Sequence, residues 1–421
     1  MTAHMSPRIF PFAAILMVSS AFAADWPQWR GPLRTGMVPA SEPVPITLNA
    51  EPPVVWRAPL GDGFASPVVA QGRLFYLDNQ DAQEVAHATD AATGKELWKA
   101  AVFSSHKDGF GIGPRCTPLI DGDRLYVQSA KGEFQCLNAG DGKLLWKTNF
   151  VDDLGAIYIG EKGKAAGASR HGASGSPIID GENILVQVGS ANGASIVAFN
   201  KLTGAIVWKS QNDQTAYAAP ILAELAGTRQ FIAFTAEALI GLDPRDGKLL
   251  WRQPLSTSLG RHVTTPVVVG DLVIVASHTL GMVATKISAA AGTFTATEAW
   301  TNKKAAMNFA SPVAVGTHLY GVGPSKNLLC VDSATGEIAW EKNGLIQTSA
   351  DKAEAAFLIM DKNVAMLTDG GLFVLFAADP QAYREAGRAQ LCGTNWCNPA
   401  YADGKLYLRD QRELLAVDLL K

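Results

Sequence analysis

Asp141-Gly142-Lys143-Leu144-Leu145-Trp146 decides the architecture of this chain, because the same turn and Trp-ending strand return along most of its length. Copies stand at Thr93-Gly94-Lys95-Glu96-Leu97-Trp98, at Thr203-Gly204 to Trp208, at Asp246-Gly247 to Trp251 and at Thr335-Gly336 to Trp340. Gly292 to Trp300 is a longer variant. An Asp or Asn stands three residues before the pair at Asp90, Asn138, Asn200, Asp243 and Asp332. Its short side chain can bond the turn backbone, and Gly can take positive φ, as a tight connection between antiparallel strands requires.

Working outward, each copy is preceded by a second signature: a small residue, Pro, an apolar run, a turn and another strand. It reads Ser66-Pro67-Val68-Val69 and Thr117-Pro118-Leu119-Ile120, and returns at Ser176-Pro177, Ala219-Pro220, Thr265-Pro266, Ser311-Pro312 and Asn398-Pro399. These Pro lie 43 to 59 residues apart, except for a last gap of 87 that holds a degenerate copy at Ala356-Phe357-Leu358-Ile359-Met360. A unit of 40 to 60 residues with four short strands is a propeller blade. The fold class is therefore all-β, an eight-bladed β-propeller of four-stranded antiparallel blades. Seven blades would make the degenerate copy an insertion, against its strand-like pattern through Asn363-Val364-Ala365-Met366-Leu367 and Leu372-Phe373-Val374-Leu375. The final copy stops after three strands at Leu415-Ala416-Val417-Asp418, and an orphan strand, Val54-Val55-Trp56-Arg57-Ala58, precedes the first Pro. That orphan is expected to close the ring by joining the last blade, which removes two open sheet edges.

The leader and composition bound the rest. Arg8, the apolar run Ile9 to Val18 and Ala21-Phe22-Ala23-Ala24 read as a secretory signal peptide over residues 1–24. Residues 25–53 form an N-terminal extension and residues 54–421 a single propeller domain. The run is too short to span a bilayer, and no Cys lies near the cut for lipid attachment. A periplasmic or secreted monomer without a transmembrane segment is expected. Net charge is −3, from 36 basic and 39 acidic residues with no basic block, which argues against nucleic acid as the partner. With 48% apolar residues, 40 Gly and 10 Trp, the chain has material for several cores punctuated by turns. Of five Cys, Cys392 and Cys397 flank a four-residue loop that a disulfide could close, whereas Cys136 and Cys330 recur at one strand position and read as small buried hydrophobes.

The Thr/Asp-Gly-Lys-x-Leu-Trp repeat resembles that of the PQQ-like (pyrroloquinoline-quinone) propeller superfamily, and Trp26-Pro27-Gln28-Trp29-Arg30-Gly31-Pro32 looks like the start of its bacterial exported members. Two branches follow from the resemblance: periplasmic quinoprotein alcohol dehydrogenases that bind PQQ and Ca²⁺, and non-catalytic scaffolds similar to the outer-membrane assembly factor BamB. The resemblance implies that the repeated Trp98, Trp146, Trp208, Trp251, Trp300 and Trp340 dock between neighbouring blades. It also implies an adjacent Cys pair and Asp/Glu/Asn metal ligands in the enzyme branch, and neither pattern is matched here.

Fold alone does not assign function. The loops before each Pro strand ring one mouth of the channel. They carry Arg115, Arg170, His171, Tyr217, Arg261, His262, Lys303, Lys304, Asn308 and Trp396. Such cations and aromatics either bind an anionic or planar ligand or simply fill and solvate the mouth. No P-loop, His-Glu-x-x-His or EF-hand pattern occurs, the His residues lack metal-ligand spacing, and Asp62, Asp351 and Asp369 read as turn or surface carboxylates. No catalytic residue, metal or cofactor is expected. The leading reading is an exported scaffold that binds a protein or envelope component through the mouth. The alternatives are a PQQ/Ca²⁺-dependent dehydrogenase with a divergent site, and small-anion or carbohydrate binding at the mouth.

Overall fold

The structure, a computed structural model, describes residues 25–158, 171–347 and 354–421. The expected leader (1–24), Arg170 and Asp351 lie outside the described residues. Eight four-stranded antiparallel sheets form an eight-bladed β-propeller, and the first strands of neighbouring blades meet around the axis. Blades 1 to 7 take their first strands from Val68–Ala70, Leu119–Asp121, Ile178–Asp180, Ile221–Leu225, Val267–Val269, Val313–Val315 and Ala355–Met360. In blade 8 the outer strand is Val54–Pro59, paired with Glu413–Asp418, so the chain's first strand closes the ring as expected.

The Trp strands lock one blade to the next. Indole N–H groups of Trp98, Trp146, Trp208, Trp300 and Trp340 donate to carbonyls of Ala139, Lys201, Pro244, Ser333 and Asp379 in the following blade, at 2.8–3.1 Å. Trp56 does the same to Ala91 at 3.0 Å, a copy that the orphan strand supplies. Each ring but that of Trp340 lies on the Gly of the next blade's turn. A Cβ on Gly142 would come within 2.7 Å of Trp98, so the turn's Gly is required by contact as well as by its φ of +72°. Opposite each Trp, across the strand pair, stands a small residue: Ala88, Cys136, Ala198, Ala284, Cys330 and Ala416. Cys136 and Cys330 are thus buried thiols that leave room for an indole.

Two blades depart from this pattern. Trp251 shares a hydrophobic cluster with Val273 and Val275 of blade 5 but makes no indole hydrogen bond to that blade. Its indole donates to Gln230 Oε1 at 2.5 Å and covers Gly241, both in its own blade. The cause is the longer hairpin of blade 5, Gly281–Ala290 with Thr293–Asn302, which carries the turn away. In blade 7 the Trp position is Gly387, paired with Leu375, and the chain at Leu48 fills the gap by donating its N–H to the Ala386 carbonyl at 3.1 Å.

Residues 25–53 prove to be part of the core. They enter the channel as a loop from the end opposite the mouth. Trp26 exchanges backbone hydrogen bonds with Val69, Pro27 accepts from Ile120, and Val38 donates to Ile359. Between these points Arg34, 1% exposed, donates to the carbonyls of Ser176 (3.0 Å), Pro177 and Pro220 (2.9 Å). Arg30 donates to the Pro312 carbonyl at 2.6 Å, and Trp29 Nε1 to Thr265 Oγ1 at 3.0 Å. Tyr401 Oη then donates to the Pro43 carbonyl at 2.5 Å, so the segment bonds to every blade. The Pro of the repeat acquires a reason here. It brings no N–H to the channel wall and leaves a carbonyl free to accept a guanidinium. Burial depresses the proton affinities of Arg30 and Arg34 to about 10 and about 9, a sign of how completely both cations are taken from water.

Candidate functional site

The small residue before each Pro builds the rim of the mouth. Asn398 N donates to Ser66 Oγ, Ser66 N to Thr117 Oγ1, Thr117 N to Ser176 Oγ and Thr265 N to Ser311 Oγ, at 2.9–3.3 Å. This belt of blade-to-blade hydrogen bonds holds the residue two positions further upstream over the mouth. Phe64, Arg115, Ser174, Tyr217, Val263, Phe309, Glu354 and Trp396 are the eight equivalents, one per blade, and all line a cavity of about 190 Å³. Trp29 of the inserted loop is its floor.

The ring is chemically lopsided. Phe309, Trp396 and Phe64 form an aromatic crescent, with Phe309 to Trp396 at 5.6 Å and Phe64 to Trp396 at 5.9 Å between centroids. Phe110 stands over it, 5.7 Å from Trp396 and edge-on to His171 at 5.1 Å, separations typical of attractive aromatic pairs. Phe110 is carried by a small hairpin, Lys107–Asp108 with Gly111–Ile112, inserted between blades 1 and 2. Asp108 pins that hairpin. Its carboxylate accepts from Arg115 (2.9 Å), His171 Nδ1 (3.1 Å), His106 Nε2 (3.3 Å) and the backbone N–H of Phe110 (2.8 Å). Burial pushes its proton affinity up, but these hydrogen bonds and the Arg115 charge outweigh it and hold the carboxyl well below the usual range. Arg115 also lies 4.2 Å from the Phe64 ring centroid. Across the mouth, burial and the charge of Asp369 drive Glu354 the other way, well above the ordinary carboxylate value.

Among the sequence candidates, Arg115, His171, Tyr217, Arg261, Asn308 and Trp396 line the cavity. His262 does not. It is fully buried, stacked on Phe234 at 4.0 Å with Nδ1 donating to the Thr235 carbonyl at 2.7 Å, because its strand start turns the ring inward. Lys303 and Lys304 sit on an exposed 3-10 turn, Lys303–Ala305, outside the lining. The mouth is not a bare set of cations, because the Asp108 carboxylate pairs with Arg115 and bonds His171. Cys392 and Cys397 are free buried thiols rather than a disulfide. Asn395 bonds both the N–H and the carbonyl of Cys397 and holds the loop in its own turn. Sequence reading missed Phe64, Phe309, Glu354, Asp108, Phe110 and Trp29. For the first three the signal was position, three residues before the repeated Pro or its Phe357 equivalent.

The hairpin yields a prediction. Asp108→Asn removes the charge that collects three cationic or donor side chains, so local stability at residues 105–113 is expected to fall by about 1–3 kcal/mol. Hydrogen exchange of the Phe110 and Gly111 amides reads this as about a tenfold or greater loss of protection. Because the folded carboxyl titrates below its unfolded value of about 3.9, its contribution is complete above that pH and disappears as pH falls through the folded value. Unchanged exchange in Asp108→Asn at neutral pH would refute this role.

The family model described as outer membrane protein assembly factor BamB matches residues 81–342. The BamB of Shewanella oneidensis strain MR-1 is 22% identical over 405 residues, covering 90% of this chain and 92% of that protein. The crystal structure of BamB from Moraxella catarrhalis superposes with a TM-score of 0.59 at 14% identity, covering 86% of this chain and 96% of that one. Quinohemoprotein alcohol dehydrogenase from Comamonas testosteroni superposes with a TM-score of 0.52 at 15% identity, covering 94% of this chain and 81% of that one. At these identities the structural likenesses concern the fold.

Proposed function

This chain belongs to the family of the outer membrane protein assembly factor BamB, and on that premise we propose that it is an exported, non-catalytic propeller scaffold that docks an envelope protein on its channel mouth. The observation that carries the reading is the half-buried aromatic crescent of Phe64, Phe110, Phe309 and Trp396 above a floored, closed channel. A rigid aromatic bowl with a polar rim has the composition of an interaction hot spot. A channel filled by residues of its own chain offers surface rather than passage.

A resident quinone with Ca²⁺ fits this mouth poorly. A divalent cation needs free carboxylate oxygens, whereas Asp108 is committed to Arg115, His106 and His171, and burial favours the protonated form of Glu354. The reading therefore takes no quinone. The two readings separate by experiment. A photo-crosslinking residue at Tyr217 or Phe309 is expected to capture a defined envelope protein in cells, and Phe110→Ala combined with Trp396→Ala to lower the yield at least tenfold (about 1.4 kcal/mol). Capture unaffected by that pair removes the mouth as the docking face. Stoichiometric binding of PQQ and Ca²⁺ with dye-coupled alcohol oxidation overturns the scaffold reading.

A further inference from the structure

Beside the mouth, between blades 4 and 5, two loops bring together several polar atoms that have no partner among the described residues. The first loop follows the strand Leu249–Pro254 and carries Thr257, Arg261 and His262. The second ends the strand Leu272–Ser277 and continues into His278. They are held side by side. Thr264 Oγ1 donates to the Ala276 carbonyl at 2.7 Å and accepts from Ala276 N at 3.1 Å. Thr257 Oγ1, Arg261 Nε, His262 Nε2, Ser277 Oγ and His278 Nδ1 are all buried atoms without a hydrogen bond. His262 and Ser277 are 0% and 1% exposed as residues.

Unpartnered buried polar groups are costly, and five carried by two adjoining loops, with Arg261, His262 and His278 close enough to act on one another's charge, call for a ligand that satisfies them. Their chemistry is one-sided. A guanidinium, two hydroxyls and two imidazoles are donors or can become donors, and among the described residues neither Arg261, His262 nor His278 forms an ion pair with a carboxylate. We propose that Thr257, Arg261, His262, Ser277 and His278 bind an oxyanion, a phosphate or carboxylate group, entering past Arg261 from the wall of the mouth. Arg261 lines the mouth cavity and so gives the pocket its entrance. The inference stands on these two loops and does not depend on which protein docks above them.

The two His residues couple the site to protons. Nδ1 of His262 donates to the Thr235 carbonyl, so in the neutral ring Nε2 is a bare lone pair. Burial, and secondarily the charge of His278, pulls His262 down to about 4, while burial and then Arg261 lower His278. The charged or titratable groups acting on this pair are Arg261 and the partner imidazole. A bound anion stabilises both imidazolium forms, so binding takes up protons and tightens as pH falls.

The probes are inorganic phosphate and acetate, titrated into the full folded protein by calorimetry at pH 6.0 and 7.5, which tells a phosphate from a carboxylate site. Saturable binding by at least one probe, several-fold tighter at pH 6.0, is expected. Arg261→Met or His278→Asn should weaken it at least tenfold, with an unchanged thermal midpoint certifying the fold. Arg245→Met, at an exposed arginine of blade 4 paired with Asp243, should leave it unchanged. No saturable binding up to tens of millimolar at pH 6.0 overturns the site. Equal loss in Arg245→Met also overturns it, since the effect is then of general charge.

Discussion

Arg34→Ala is expected to destabilise the fold by about 3–5 kcal/mol, among the largest effects of any single substitution in this protein. Arg34 is a fully buried cation that forms no ion pair with a carboxylate among the described residues. Its guanidinium is neutralised instead by dipoles, the carbonyls of Ser176, Pro177 and Pro220, while Nε donates to Gln28 Oε1 at 3.0 Å. Truncation strands three carbonyls in a closed channel, and each unsatisfied group costs about 1–3 kcal/mol, offset in part by no longer burying a charge. It also cuts the tie between the inserted loop and blades 3 and 4. Arg34→Lys is expected to fall short of rescue, because an ammonium cannot present the planar fork that spans two blades. Denaturant midpoints of the three proteins measure the effect. A midpoint for Arg34→Ala within experimental error of the parent would show that the loop is an ornament of the ring.

Trp98→Ala carries a cost of roughly 2–4 kcal/mol, because it strips a half-buried indole from the junction of blades 1 and 2 and frees the Ala139 carbonyl. The same junction can be broken from the other side. Gly142→Ala would set a Cβ 2.7 Å from the Trp98 ring at a φ of +72°. Gly292→Ala is the internal control, since Gly292 has a similar φ of +79° with nothing within 4 Å of its added Cβ. The control should lose only the left-handed backbone term, about 1–2 kcal/mol, and Gly142→Ala clearly more. Equal losses would mean that the indole contact adds nothing to the turn. The contrast follows from the hairpin of blade 5, whose lengthened turn no longer meets a Trp.

The mouth shows how far residue chemistry misleads when position is ignored. Arg115, Tyr217 and Trp396 attract notice as a cation and two aromatics, yet they share a repeat position with Phe64, Ser174, Val263, Phe309 and Glu354. Choosing by residue type found three of the eight and added His262, whose ring belongs to the core. Asp108 escaped notice because a lone carboxylate in an insertion resembles any turn residue. Only its hydrogen-bond partners, Arg115 and His171, reveal that it shapes the local charge.

What the sequence by itself determined is the repeated part: eight blades, the closing strand at Val54, the Gly turns and the strand position of the Trp, whose docking between blades the family resemblance implied. These are legible because each recurs at a fixed spacing, and repetition converts weak local preferences into a strong pattern. Only the tertiary structure decided the rest. The path of residues 25–53 through the channel rests mostly on backbone groups, among them the carbonyls of Val69, Ser176, Pro177, Pro220, Pro312 and Ile359, and a carbonyl has no letter in the sequence. The exceptions at Trp251 and Gly387 likewise depend on what the neighbouring blade and the N-terminal segment place beside them. So does the character of the mouth, because a charge is defined by what faces it, and Arg115 faces Asp108.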